Sequence, residues 1–177
     1  AGESVALTGR VQAETEINLA FRVDGRMVSR AVGVGDTVRA GQEIARLNPE
    51  NEENALRAAE ANLLGARGLL SEARANESRN RTLLAQNFIS QAAFDRIAQQ
   101  ANSAQAQVDA AQAQVMIARD RLGYTRLSAD AGGVVTAVGA EPGEVVQAGR
   151  MVVQLARQEG RDAVFDVPAP LKDAAPR

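Results

Sequence analysis

The 177-residue chain has no cysteine, no histidine and no tryptophan, and aromatic residues make up only 3% of it. Without cysteine and histidine, a protein has no disulfide, no thiol nucleophile, no imidazole base and no zinc site of the usual kind. We expect a protein that is not an enzyme, with no catalytic or metal-binding residues and no cofactor. Because a compact core of this size usually carries more large rings, the composition favours an elongated, alanine-rich body.

An excess of one charge and long apolar runs are also missing. The chain carries 20 basic and 22 acidic residues, for a net charge of −2. This balance gives no reason to expect a nucleic-acid partner or an anionic membrane surface. No run of apolar residues is long enough to span a bilayer, and no signal peptide is visible. We expect the chain to be a piece of a longer protein.

Apolar residues at heptad spacing predict two long helices, at about Pro49–Gln86 and Gln91–Gly123. Alternating steps of three and four residues are typical of the a/d seam of coiled-coil helices. The first-helix seam is 56, 59, 63, 66, 70, 73, 77, 80 and 84, and the second is 94, 97, 101, 104, 108, 111, 115, 118 and 122. Asn48 is suited to cap the first helix, with Pro49 at the first helical position. The two helices are predicted to form an antiparallel hairpin.

The only break between the two seams, Gln86–Ser90, predicts the tip of the hairpin, near residues 83–91. Ser90 is suited to cap the second helix, because its hydroxyl can accept a bond from a free N–H of the first turn. Ile89 and Phe94 have the spacing of a hydrophobic staple around that cap. We expect Phe88 to pack under the tip.

One stretch of the second helix lacks charged residues. Its outward positions are predicted to be Gln99, Gln100, Asn102, Ser103, Gln105 and Gln107. Such a face is either simply solvated or packed on an identical neighbour, since amides cost less to desolvate than charged groups. The sequence leaves both interpretations open.

A motif of the form G-x-x-V-x-A-G-x(5)-L occurs on both sides of the predicted helices. At an offset of 108, Gly35, Val38, Ala40, Gly41 and Leu47 recur as Gly143, Val146, Ala148, Gly149 and Leu155. At an offset of 107, Gly25 and Val28 recur as Gly132 and Val135. Because a few isolated strands are marginal in water, the two halves are expected to close one small β-sandwich. Alternation over Ala1–Phe21 and Asp162–Pro168 predicts outer strands, the last pairing with the N-terminal one.

The duplicated motif resembles the two halves of a biotinyl/lipoyl domain. Members that carry a cofactor hold it on a lysine between the halves. Here the helices occupy that junction, and the only lysine is Lys172. The expected fold is α+β: a long antiparallel α-helical hairpin (coiled coil) inserted between two halves of a lipoyl/biotinyl-like β-sandwich, plus a partial β-barrel domain. The expected domains are 1–20 with 158–177 for the barrel, 21–48 with 124–157 for the lipoyl-like part, and 49–123 for the hairpin.

A lipoyl-like domain split by such a hairpin resembles the periplasmic adaptors, or membrane fusion proteins, of RND-type tripartite efflux pumps. The hairpin tip of that family carries R-x(3)-L-x(6)-S, and this chain has Arg79, Leu83 and Ser90 at that spacing. The resemblance implies that these three residues dock onto a TolC-type outer-membrane channel. It also implies an inner-membrane RND transporter as partner, and self-association as a hexamer or trimer of dimers. The implied location is the periplasm, held at the inner membrane by an anchor that we expect outside this chain.

The residues themselves leave simpler roles open. Arg79 is either a solvated surface charge or a guanidinium that binds carbonyls or carboxylates of a partner. Leu83 falls beside the seam, since Leu84 takes the seam position, and an exposed leucine at a tip favours a partner. Ser90 needs no role beyond capping.

Three alternative functions stay open at this point. An adaptor of an ABC-type exporter or a type I secretion system would use the same scaffold. A biotin or lipoyl carrier would need a lysine at the junction. A purely structural coiled coil would not need a split sandwich.

Overall fold

The structure, a computed structural model, describes residues 9–13, 15–157 and 161–165. The chain divides into two compact units, one comprising Ala1–Leu47 with Arg126–Arg177 and the other Asn48–Thr125. The first unit is built of β-strands and the second of two helices. Among the described residues, neither helix has an apolar stretch sufficient to cross a membrane.

Within the described part of the chain, five strands precede the helices and five follow them. The first five are β1 (Gly9–Ala13), β2 (Glu16–Ala20), β3 (Gly25–Arg30), β4 (Thr37–Val38) and β5 (Glu43–Leu47). The helices are α1 (Glu50–Ala85) and α2 (Gln91–Gly123). The last five strands are β6 (Arg126–Ser128), β7 (Gly133–Val138), β8 (Val145–Val146), β9 (Met151–Arg157) and β10 (Arg161–Phe165). This order confirms the α+β class and the insertion of the hairpin between two β-rich halves.

These strands form two four-stranded sheets and one two-stranded sheet. The sheets have the orders β2-β9-β7-β4 and β6-β5-β3-β8, and all pairings are antiparallel. β1 pairs with β10, which confirms the predicted pairing of the outer segments. The predicted strand positions Val5 and Leu7 lie outside the described residues. Each half places its short strand in the other half's sheet, because β4 pairs with β7 and β8 pairs with β3. Neither half can therefore complete its sheet alone.

The two halves are related by a constant offset of 108 residues. Gly25 lies opposite Val146, and Gly133 lies opposite Val38 in the equivalent pair. The backbone bonds between the halves follow the same rule: Gly35 N–H to Val135 O (2.8 Å) matches Gly143 N–H to Met27 O (2.7 Å), and Val135 N–H to Asp36 O (2.9 Å) matches Met27 N–H to Glu144 O (2.8 Å). The reciprocal bonds confirm that the repeat is structural.

The predicted offset of 107 for Gly25 and Val28 is wrong. Gly25 corresponds to Gly133, the second glycine of an adjacent pair, and Met27 rather than Val28 corresponds to Val135. Burial explains the choice, because Met27 and Val135 are both fully buried whereas Val28 is half exposed. In the two equivalent turns Gly35 and Gly143 have φ of 93° and 98°, a left-handed conformation that favours glycine.

The apolar core of the β unit lies between the two four-stranded sheets, and both sheets supply it. Its buried residues are Leu19, Phe21, Met27, Val32, Val38, Ile44, Ala45, Leu47, Leu127, Ala129, Val135, Ala140, Val146, Val152, Val153 and Leu155. The repeated motif residues Val38 and Leu47, with their equivalents Val146 and Leu155, are all among them. The predicted sandwich therefore forms around the residues that the repeat shares.

The hairpin follows the predicted seam. Every position of the two predicted seams is buried or half-buried, including Leu63 and Leu70 in α1 and Ala101, Ala104 and Val115 in α2. α1 is assigned from Glu50, one residue later than predicted. Pro49 has φ −88° and ψ 0°, and Asn48 Oδ1 accepts a bond from Glu50 N–H at 3.1 Å. The predicted Asn48 cap therefore forms.

Polar pairs along one edge of the hairpin, here named the ladder, join the two helices. Arg119 lies 3.6 Å from Glu60, Arg67 donates to Gln112 at 3.0 Å, and Arg74 donates to Gln105. The pairs step by seven residues in opposite directions along α1 and α2. They occupy positions beside the seam, where interhelical side chains set the register of a coiled coil.

Candidate docking site at the hairpin tip

The end of α1 is closed by a Schellman motif. Phe88 N–H donates to Leu83 O at 2.9 Å, and Asn87 N–H donates to Leu84 O at 3.0 Å. Asn87 has φ 58°, the left-handed conformation that this motif requires after the last helical residue. Among residues that have a side chain, asparagine and aspartate tolerate that conformation best. The backbone on both sides of the turn is therefore fixed by hydrogen bonds.

The start of α2 is capped by Ser90, as predicted. Its hydroxyl accepts a bond from Ala93 N–H at 3.2 Å, and its carbonyl accepts the first helical bond from Phe94 N–H at 3.1 Å. The predicted staple residues Ile89 and Phe94 are both half-buried. The five-residue break thus has one motif at each end, and the tip is a defined structure.

Leu84 takes the seam position and Leu83 falls beside it, as predicted. Leu84 is half-buried in the seam, whereas Leu83 is 37% exposed. Packing within the hairpin therefore covers only part of the Leu83 side chain, and exposed apolar surface of this kind favours a partner. Whether a partner covers it stays a prediction.

Arg79 lies one helical turn before Leu83 on the same side of α1. It is exposed, and within residues 15–157 no hydrogen bond or ion pair joins its guanidinium to another side chain. Arg81, two residues later, instead binds Glu77 at 2.7 Å and lies over the Phe94 ring, 5.9 Å from its centroid. The two arginines of the tip therefore differ. Arg81 braces α1 against α2, and Arg79 offers five donors to water or to a partner.

The structure places the three predicted docking residues around one turn. Arg79 and Leu83 lie in the last two turns of α1, and Ser90 is the first residue before α2. All three are exposed. Their exposure and spacing fit a common surface, and the docking role of Arg79, Leu83 and Ser90 stays a prediction.

The prediction that Phe88 packs under the tip is wrong. Its side chain is 73% exposed, among the most exposed large apolar residues of the described chain. The left-handed Asn87 turns the chain outward at this point, and the Schellman bonds hold Phe88 after the turn. The sequence carried a usable signal, since asparagine directly after a helical seam is a known helix-ending residue.

Gln105 does not belong to the uncharged outer face on which it was predicted. It accepts a bond from Arg74 and donates to Asp109 at 2.9 Å, so it lies on the ladder. The reason is its position directly after the seam residue Ala104. On the other side of α2, Arg96, Gln99, Gln100, Ser103 and Gln107 line a shallow groove. The uncharged face is therefore narrower than predicted.

Comparison with known proteins gives one family and several relatives. The sequence model of the family described as "RND MFP, alpha-helical hairpin domain" matches residues 55–125. The multidrug resistance protein MdtA of Erwinia amylovora is 30% identical over 162 residues, which cover 90% of this chain and 40% of that protein. The macrolide export protein MacA of Escherichia coli O157:H7 is 28% identical over 158 residues, 81% of this chain and 43% of that protein.

A solved structure shares the fold. The crystal structure of a MacA-MexA chimeric protein, containing the Pseudomonas aeruginosa MexA alpha-hairpin domain, has a TM-score of 0.65 and 20% identity. The match covers 92% of this chain and 55% of that chain. The chain spans about two fifths of the curated relatives described above.

Proposed function

We propose that the chain is a membrane fusion protein, one of the periplasmic adaptors for efflux, and that it links an inner-membrane transporter to an outer-membrane channel. In this proposal the hairpin reaches the channel and its tip docks there. The protein acts by holding two membrane proteins together in the periplasm and not by catalysis. Its cargo would be drugs or other small molecules.

The observation that carries the proposal is the chemistry left exposed at the tip. A turn closed by a Schellman motif at one end and by the Ser90 cap at the other presents Leu83 to solvent, together with an Arg79 that has no side-chain partner among residues 15–157. A guanidinium can bind carbonyls and carboxylates of helix ends with two bonds at once, and an adjacent leucine adds apolar contact. A TolC-type channel, with helices at its periplasmic end, would supply both kinds of partner surface.

We propose an RND transporter as the inner-membrane partner. The family whose model matches residues 55–125 is that of RND membrane fusion proteins, which supports this choice. The alternative is an ABC-type exporter, because the tip would meet the same kind of channel in either system. Purification of the full-length protein from cross-linked membranes, followed by identification of the co-purified transporter, separates the two classes.

Several copies are proposed to stand side by side around the conduit, as a hexamer or trimer of dimers. The groove lined by Gln99, Gln100, Ser103 and Gln107, with Arg96 as its one charged residue, supports this arrangement, because amides are cheaper to desolvate than charges. Weak docking at each tip would then be multiplied by symmetry, since linked sites bind with high effective concentration.

The docking proposal is tested by cross-linking in cells. A single cysteine is placed at Leu83 in the full-length protein, and another at the periplasmic end of the cognate channel. The matched control is a cysteine at Leu64, which is 73% exposed and lies in the middle of α1. The expected result is a cross-link from position 83 and none from position 64. A protein that is folded and expressed but forms no cross-link from position 83 would exclude tip docking.

A further inference from the structure

We propose that Phe88 is a fourth contact of the tip, an aromatic anchor for an apolar recess at the periplasmic helical end of the outer-membrane channel. The inference rests on the proposed function and adds a residue that lies outside the Arg79, Leu83 and Ser90 motif. It starts from one observation. A phenylalanine ring that is 73% exposed lies at the outermost turn of a hairpin whose other apolar residues mostly follow a buried seam.

The backbone links Phe88 directly to Leu83. Phe88 N–H donates to Leu83 O at 2.9 Å across the turn. In the Schellman motif these two positions are neighbours, and apolar side chains there commonly meet. The ring and the leucine are therefore presented together from a backbone that is already ordered. An ordered apolar pair loses little conformational entropy on binding, which favours its use as an anchor.

The charges around the tip indicate what surrounds the recess. From Arg79 to Phe94 the sequence contains two arginines and no carboxylate. Glu77 balances the charge of Arg81 at 2.7 Å, whereas Arg79 has no such partner among residues 15–157. An apolar centre with one unbalanced cation beside it is complementary to an apolar recess bordered by carboxylates or carbonyl oxygens. Helix ends in a channel protein offer such borders through their free carbonyl groups.

A membrane surface is the less favoured occupant. Stable binding to anionic lipid needs a cluster of several basic residues or a long amphipathic helix with many apolar residues on one face. The tip has one unbalanced arginine, one exposed ring and one partly exposed leucine. A protein recess that buries a single ring can bind this small surface more tightly than a membrane can, because buried aromatic residues supply much of the binding energy of many protein interfaces.

The test measures the affinity of the full-length protein for the purified cognate channel. Phe88→Ala is expected to weaken binding by on the order of tenfold or more, the loss typical of an aromatic anchor. Leu64→Ala is the matched control, because Leu64 has the same exposed fraction and lies far along α1 from the tip. The Leu64→Ala variant should bind the channel with the affinity of the unchanged protein. Phe88→Leu should retain part of the affinity.

Each result decides between stated alternatives. Unchanged affinity of Phe88→Ala, together with weaker binding of Leu83→Ala, would overturn the anchor and leave the proposed function standing. No binding by the unchanged protein would overturn both. A lower melting temperature of Phe88→Ala would show that the ring packs within the tip, against the inference. Sedimentation with phosphatidylserine vesicles that depends on Phe88 and needs no channel would assign the ring to lipid instead.

Discussion

The β-sandwich and the helical hairpin of this chain hold their structures by different means. Among the residues whose burial the structure describes, the sandwich has sixteen buried apolar residues in one cluster, whereas the hairpin buries six: Leu63, Leu70, Ala101, Ala104, Val115 and Ala118. The sandwich also exchanges strands between its halves, so many of its bonds join residues roughly a hundred positions apart. Bonds in the hairpin are mostly local, because helices close their backbone bonds within each turn.

This difference indicates which positions of each unit tolerate substitution. A closed core with long-range bonds depends on side-chain size at many positions at once. A two-helix seam made largely of alanine and a few leucines has less volume to lose at most positions. Surface residues of the hairpin are thus available for recognition, as the docking proposal for the tip requires. The following substitutions test that contrast, in order of decreasing effect.

Leu155→Ala should produce the largest loss, about 2–5 kcal/mol of unfolding free energy, because it opens a cavity in the middle of the sandwich core. Amide hydrogen exchange should accelerate at Met27 and Val135, whose N–H groups join the two halves. Exchange at Ala104 in α2 should stay as it is. Equal acceleration in both units would contradict the proposed contrast. Leu64→Ala, on the exposed face of α1, is the control that should leave both unchanged.

Gly133→Ala should cost about 1–3 kcal/mol through overpacking. A methyl group there would lie only 2.3 Å from Ala156 O, a backbone atom that cannot move aside without the strand. Gly25→Ala, at the equivalent position in the other half, should cost less. Its methyl group would meet Leu47 Cδ1 at 3.1 Å, the end of a flexible side chain. Urea unfolding of both variants checks the order, and a larger loss from Gly25→Ala would break the argument.

Ser90→Ala should cost about 1 kcal/mol, the usual value of a helix cap. Ala93 N–H would lose its partner at the start of α2, and exchange at that amide should accelerate. Ser103→Ala is the matched control, because Ser103 lies inside the same helix and alanine favours helix there. A stability change of the same sign and size in both variants would argue against a capping role.

Arg119→Gln should have the smallest effect, under about 0.5 kcal/mol, because both partners of the pair with Glu60 are largely exposed. The loss of unfolding free energy caused by Arg119→Gln should be smaller still at high salt, where surface charges are screened. Thermal unfolding at two salt concentrations measures it. A loss comparable to that of Leu155→Ala would mean that the ladder, and not the seam, holds the hairpin together.

The sequence was sufficient for the hairpin because its signal is periodic. Each seam position is defined by its neighbours three and four residues away, and the burial of Leu63, Leu70 and Ala104 follows that pattern. The capping roles of Asn48 and Ser90 were also predictable, since they depend on local chemistry. The internal repeat predicted the sandwich for the same reason, through the shared motif around Gly35 and Gly143.

The errors arose where one residue had to be chosen between adjacent candidates. Gly132 and Gly133 are equivalent by residue type, and only the pairing of strands decides that Gly133 matches Gly25. Gln105 is polar like its neighbours, but its place beside Ala104 puts it on the ladder. Phe88 was misplaced because the direction of a side chain after a turn depends on the φ of Asn87. The docking role proposed for the tip residues rests on a resemblance, and physical reasoning alone supports only their exposure.

The spacing of the ladder has a consequence for the length of the hairpin. Because its pairs repeat every seven residues, an equal insertion of seven residues into α1 and α2 would keep every pair opposite its partner and extend the reach by about 10 Å. An insertion of four residues would rotate the seam out of alignment. The length of such a hairpin should therefore vary in steps of seven residues in each helix. Homologues with longer or shorter hairpins should differ by equal numbers of heptads in the two helices.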